Sequence, residues 1–233
     1  MSYGFQVIND YGQAVVDGLY KNLSLVRRAY STKTPRTGGV YQYAWTECAE
    51  TIDISSASGA SVVAVRPGAN WVASNLRRDP NGQYAYLSPA WYPGGGGVRF
   101  EYAVFDTTGT PVDVGQVGLQ VFNELGELTF DARKIQLSVF DVIDAPAFST
   151  DNQLFTLNHQ YCPDAFYILD TFSGYLGAAE DETGSGAWYL PMIRQISPNQ
   201  CQVATLEAGG VSAVWVGRYF HPSPKIIVCK PSD

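Results

Sequence analysis

The chain has 233 residues, is 45% apolar and only 16% charged, and carries a formal net charge of −7. That composition excludes a disordered polar chain, and 15 Lys and Arg against 22 Asp and Glu leave no cationic surface for sustained phosphate contact, so no nucleic acid is expected as a ligand. No apolar run reaches the length of a bilayer span, and the N-terminus lacks the charged-then-apolar pattern of a secretory signal; a soluble chain without membrane insertion is expected.

The first predicted element is a β-meander. Phe5 and Val7 alternate with Gln6, which is the period of a half-buried strand. Asn9 suits the opening of a type I turn because its side chain can bond the backbone two residues on, and Gly12 supplies a left-handed position. A second strand returns through Ala14 and Val16, and a third runs over Leu23 to Val26. A polar loop from Ser31 to Gly39 leads to a strand over Val40 to Trp45. Thr51 to Ser55 and Ser61 to Arg66 form a hairpin, and Trp71 to Leu76 precedes an Asn81-Gly82 turn and a strand over Gln83 to Leu87. Four glycines, Gly94 to Gly97, follow Trp91-Tyr92-Pro93. With no lysine and no following helix they read as a flexible loop rather than a phosphate cradle. Val98 to Phe105 is the next strand, and Asp106 to Gly115 links onward.

At Gly118 the opening stretch returns. Gly4, Gln6, Val7, Asn9, Gly12, Asp17, Leu23 and Ser24 have identical partners at Gly118, Gln120, Val121, Asn123, Gly126, Asp131, Leu137 and Ser138, at a constant spacing and without a gap. Tyr41/Phe155, Tyr43/Leu157 and Cys48/Cys162 extend that spacing. Shifted by one residue, Gly96-Gly97-Val98 falls on Gly209-Gly210-Val211 and Tyr102 on Trp215. Internal repetition decides fold organisation before any local pattern does. The expectation is an all-β chain of two tandem immunoglobulin-like β-sandwich domains related by internal duplication, residues 1–115 and 116–233. In the second unit, strands are predicted at Leu154 to Asn158, Ala165 to Leu169 and Tyr175-Leu176. An acidic Gly-rich loop, Ala178 to Gly186, precedes strands at Trp188 to Leu190, Ile193 to Ile196, Cys201 to Leu206, Val211 to Phe220 and Lys225 to Cys229. No segment carries a capped helical period.

Catalytic chemistry is not legible. A serine or cysteine triad would need His159 or His221, and no nucleophile-elbow sequence offers either a partner. Glu180-Asp181-Glu182 lacks the spacing of a calcium loop, and Cys48, Cys162, Cys201 and Cys229 lack that of a zinc or redox motif. A Cys201–Cys229 bridge is compatible with the sequence but nothing requires it. The chain reads as no enzyme, with no cofactor and no metal. Low charge with abundant aromatics points instead to surfaces that become covered. Trp91, Tyr92, Gly94, Gly95, Trp188 and Tyr189 form the candidate interaction loops, either against protein or stacked on sugar rings. Asn9, Gly12, Asn123 and Gly126 form the repeated hairpin turns.

The repeated block, Gly-Φ-Gln-Val-Φ-Asn-x-x-Gly followed by three further residues, an apolar residue and Asp (Φ is apolar), spans Gly4 to Asp17 and Gly118 to Asp131. It resembles a block that opens small virion proteins of tailed bacteriophages, where Phe-Asp-Ser often follows. Here Phe130-Asp131-Ala132 departs by one residue, and Val16-Asp17-Gly18 by more. The resemblance covers about a fifth of the chain. It implies a non-enzymatic structural component of a phage tail (tip, baseplate or fibre attachment), made in the host cytoplasm and located in the virion. Other tail proteins would be its partners and a homo-oligomer, with a trimer favoured, its assembled form. The alternative is a receptor- or glycan-binding module using the aromatic loops; a polysaccharide-degrading enzyme ranks below both.

Overall fold

The computed structural model describes residues 6–8, 14–17, 22–31, 50–54, 61–69, 71–79, 82–90, 99–109, 118–146, 154–169, 185–212 and 225–232. Every regular element among them is a strand. The first half holds β1 (Gln6–Ile8), β2 (Ala14–Asp17), β3 (Ser24–Tyr30), β4 (Glu50–Asp53), β5 (Val62–Arg66), β6 (Trp71–Asp79), β7 (Gly82–Ala90) and β8 (Glu101–Asp106). The second holds β9 (Gln120–Phe122), β10 (Leu128–Asp131), β11 (Leu137–Asp144), β12 (Leu154–Asn158), β13 (Phe166–Ile168), β14 (Ser185–Ser197), β15 (Gln200–Ser212) and β16 (Lys225–Pro231).

Two hairpins, β1–β2 and β9–β10, stand apart from two six-stranded antiparallel sheets. One sheet runs β11-β16-β13-β5-β8-β3 and the other β12-β15-β14-β6-β7-β4. Each takes three strands from either side of residue 115, so both sheets run across the boundary expected from the sequence. Each order is also palindromic in the repeat. β3 and β11 carry the same bulge, with Val26 extra between Leu25 and Arg27, and Phe140 extra between Val139 and Asp141. Their neighbours β8 and β16 are therefore twins, as are β5 and β13 beyond them. In the other sheet the strand pairs β6–β7 and β14–β15 end at matching places, Asp79 opposite Gly82 and Ser197 opposite Gln200, with Pro-Asn the intervening sequence in both. The halves meet where twins pair: β5 with β13 (Val65 opposite Tyr167) and β6 with β14 (Val72 opposite Ile193).

The first sheet curls until its edges touch. Ser24 bridges Gln136, the Leu25 N–H donates to the Ile135 carbonyl at 2.7 Å, and the Leu137 N–H donates to the Leu23 carbonyl at 2.9 Å. Closure in this way satisfies edge groups that would otherwise be open to another chain. All six strands line the resulting interior: Leu25, Val62, Ala64, Ala103, Phe105, Phe166, Ile168, Ile227, Cys229 and Leu137. The outer face packs on the second sheet through Val65, Tyr102, Val104, Tyr167, Ile226 and Val228, which meet Ile52, Val72, Ile193, Cys201 and Val203. Buried on both faces, β8 is covered along its whole length.

Several sequence expectations need correction. The constant spacing fails beyond the meander. Phe155, opposite Val203, occupies the place that Ile52, opposite Ala85, holds in the first half, so Tyr41 and Phe155 are not twins; Tyr41, Tyr43 and Cys48 lie outside the described residues. Gly209 to Val211 belong to β15, and the twin of Tyr102 is Ile226 rather than Trp215, so that shifted register fails too. Ser185 and Gly186, expected in the acidic loop, open β14, which continues through Pro191 opposite Thr205.

No Cys201–Cys229 bridge forms; Cys162, Cys201 and Cys229 are free and buried. Cys229 faces the closed interior whereas Cys201 faces the layer between the sheets, so the wall of the first sheet separates them. Burial pushes the Cys201 thiol up to about 12 and raises those of Cys162 and Cys229 as well. Because the thiolate is the reactive form, iodoacetamide at mildly alkaline pH should leave all three unmodified in the native protein and label them in denaturant, as read by peptide mass mapping.

Candidate functional site

The repeated hairpin is the site built most completely, and its backbone is built twice. In β1–β2, Gln6 faces Asp17, Val7 faces Val16 and Ile8 faces Ala14, which leaves Val15 as a bulge. In β9–β10, Gln120 faces Asp131, Val121 faces Phe130 and Phe122 faces Leu128, which leaves Thr129 as the bulge at the matching place.

Side chains in the second copy show why the motif has its letters. Asn123 organises the turn: its Oδ1 accepts from the backbone N–H groups of Leu125 at 3.0 Å and Glu127 at 2.9 Å, and its Nδ2 donates to Glu127 Oε2 at 2.9 Å. Gly126 sits at φ +76°, in the left-handed region that an L side chain enters only with strain. The turn chemistry expected of Asn123 and Gly126 is what forms; Asn9 and Gly12 lie outside the described residues. Gln120 Nε2 donates across the hairpin to Asp131 Oδ2 at 3.0 Å. Asp131 Oδ1 accepts from the Arg133 backbone N–H at 3.0 Å and from Arg133 Nε at 2.8 Å, while Oδ2 accepts from Nη2 at 2.6 Å. A Cβ on Gly118 would lie 2.7 Å from Arg133 Cγ, so that letter leaves room for the arginine stem. Thr129, buried in the bulge, donates to the Val121 carbonyl at 3.0 Å, and Asn22 of the first copy donates to the Thr129 carbonyl through its backbone N–H at 2.8 Å.

The apolar letters have no such duty. Leu119, Phe122 and Leu125 are 54%, 55% and 85% exposed. The hairpin is thus braced by its polar letters and leaves Leu119, Phe122 and Leu125 exposed, while Val121 and Phe130 are half-buried.

Trp188 and Tyr189, expected in an interaction loop, lie within β14, opposite Gly209 and Glu207, with a register shift between them. Trp91, Tyr92, Gly94 and Gly95 lie outside the described residues. His159 is buried: its Nδ1–H donates to the Gln160 carbonyl at 2.7 Å and its Nε2 accepts from the Tyr167 hydroxyl at 3.0 Å. It ties a crossing loop to the core. Among the described residues no three His, Cys, Asp or Glu side chains converge as a metal site would require.

No family model, curated protein or solved structure matches the chain.

Sequence reasoning missed a second cluster, where the buried Glu101 holds Arg28 and Arg66. Glu101 shares its strand face with Ala103 and Phe105, and a charge on an apolar alternation was the signal available.

The Arg133 hydrogen bonds foremost, with Gln120 adding, hold the Asp131 carboxyl well below the usual range against the opposing effect of burial. A depressed folded-state value stabilises above the unfolded value near pH 4 and is lost as pH falls through the folded value. Asp131→Asn should therefore lower the urea midpoint at neutral pH, and its midpoint should fall less than that of the unsubstituted protein on acidification. Equal acid sensitivity of the two proteins would show that Asp131 does not carry the effect.

Proposed function

We propose that the protein is a non-enzymatic structural component of a bacteriophage tail, at the tip, baseplate or fibre attachment, and that it acts through protein–protein assembly. The observation that carries this reading is the repeated hairpin. Its motif resembles the opening block of small phage virion proteins. Its polar letters stiffen it, and Leu119, Phe122 and Leu125 project from it exposed. Apolar side chains clustered on a rigid element favour burial against a partner, at about 25 cal/mol per Å² of apolar area. The palindromic strand orders support a duplication in which each half contributes a three-on-three sandwich of immunoglobulin-like size. Partners are other tail proteins and further copies of this chain, with a trimer favoured.

Immunogold labelling of phage particles with antibody against this chain should mark the tail end; unmarked particles, with the antigen accessible in controls, would exclude a virion role. In solution, Phe122→Asp with Leu125→Asp should reduce the oligomer to a chain of 25.4 kDa by light scattering while the thermal midpoint stays within a few degrees. An unchanged oligomer would place the interface elsewhere.

A further inference from the structure

We propose that the cleft at the open end of the closed sheet, away from the hairpins, is a binding site for a carboxylate-bearing saccharide. The cleft is about 310 Å³ and is lined by Tyr30, Arg66, Pro67, Gly68, Arg99, Phe100 and Glu101. That volume lies at the lower end of small-ligand sites. It uses residues distinct from the hairpin and does not rest on the assembly reading.

Charge is the first argument. In a chain of net charge −7, three arginines gather here around one buried carboxylate. Glu101 is 3% exposed; Arg28 Nε donates to its Oε1, and Arg66 Nη1 donates to its Oε2 at 3.1 Å. Arg66 also donates through Nη2 to Asp164, whose side chain is 64% exposed. Arg99 lies over the Tyr30 ring, 4.1 Å from its centroid, which fixes a third cation on the cleft wall.

The twin position supplies the second argument. Tyr30 faces Glu101 across β3 and β8, and in the second half Asp144 faces Lys225 across β11 and β16. Among the described residues, that sheet end in the second half carries an exposed pair, Lys225 Nζ to Asp144 Oδ1 at 2.6 Å, and Val142 holds the place of Arg28. The fold therefore does not require a buried carboxylate with its arginines, an arrangement that desolvation makes expensive. Its presence in one half only points to a task beyond folding.

The ligand class follows from the groups present. Arg66 already grips two carboxylates, so planar carboxylate geometry fits it. Asp164 can return to water when an incoming carboxylate takes its place, which strands no charge. The half-exposed Tyr30 ring offers apolar surface to the C–H face of a sugar.

Calorimetry on the full chain would use trigalacturonate as probe, with maltotriose as its neutral counterpart and inorganic phosphate as a competitor. Trigalacturonate should bind and maltotriose should not. Arg99→Ala should weaken binding by about tenfold or more, the scale of one charge-assisted hydrogen bond, while Lys225→Ala at the twin position leaves it unchanged. A second variant guards against misfolding. Gly68 has φ +59°, and a Cβ there meets nothing within 4 Å; Asp and Asn tolerate that conformation. Gly68→Asp should repel the probe and Gly68→Asn should not. Absence of binding, equal binding of maltotriose, or indifference to both Arg99→Ala and Gly68→Asp would overturn the proposal. Displacement by phosphate at equal concentration would overturn the saccharide assignment.

Discussion

The structure depends on one seam. Leu23 and its repeat partner Leu137 sit where the edges of the first sheet meet, and the backbone bonds around them close that sheet on itself. Closure permits an interior lined by alanines, a cysteine and a few large side chains to be buried without a further layer over it. It also brings the two hairpins together at one end, where Asn22 of the first copy reaches the Thr129 carbonyl of the second. A twisted sheet with matching edges closes readily only if both edges present the same spacing of donors and acceptors. Here the edges share Leu-Ser, at Leu23-Ser24 and Leu137-Ser138, and carry a one-residue bulge at the same place.

Why the repeat is legible in some places and not in others follows from what each place demands. At the hairpin the demand is on identity: a side-chain amide that reaches a backbone N–H, a glycine at positive φ, a carboxylate opposite a glutamine. Those letters recur unchanged. In the closed interior the demand is on total volume. Across the twins, Ala64 stands against Ile168, Ala103 against Ile227, Val62 against Phe166 and Phe105 against Cys229. One copy supplies bulk where the other withdraws it, as packing at fixed density allows. Identity is lost while apolar character is kept, and differing loop lengths shift the numbering, so a constant spacing misaligned Phe155 and Tyr102. Strand character in the described segments was readable from alternation; the joining of each sheet across residue 115 was not, because edge pairing leaves no mark in local pattern.

The two ends of the closed sheet have diverged differently. At the hairpin end the copies kept their polar framework, which suits a surface that meets partners in a repeated way. At the other end the first half carries Arg28, Arg66, Arg99 and Glu101, whereas among the described residues the second half carries the exposed pair of Lys225 and Asp144. The carboxylate of Asp106, held below its usual range by bonds from Ser61, Thr108 and Thr107 despite burial, is likewise confined to one half, since its twin is Lys230.

The pairing of β5 with β13 and of β6 with β14 bears on how the chain is made. A ribosome delivers the first half before any strand of the second exists, and until then β5 and β6 are edges with unpaired donors and acceptors. Such edges recruit other chains. The nascent first half is therefore at its most adhesive during the interval before β13 and β14 emerge. Long-range antiparallel pairing of this kind is slow to form. The pairings that join each sheet across residue 115 make synthesis of the protein a race between self-completion and capture by a neighbouring chain.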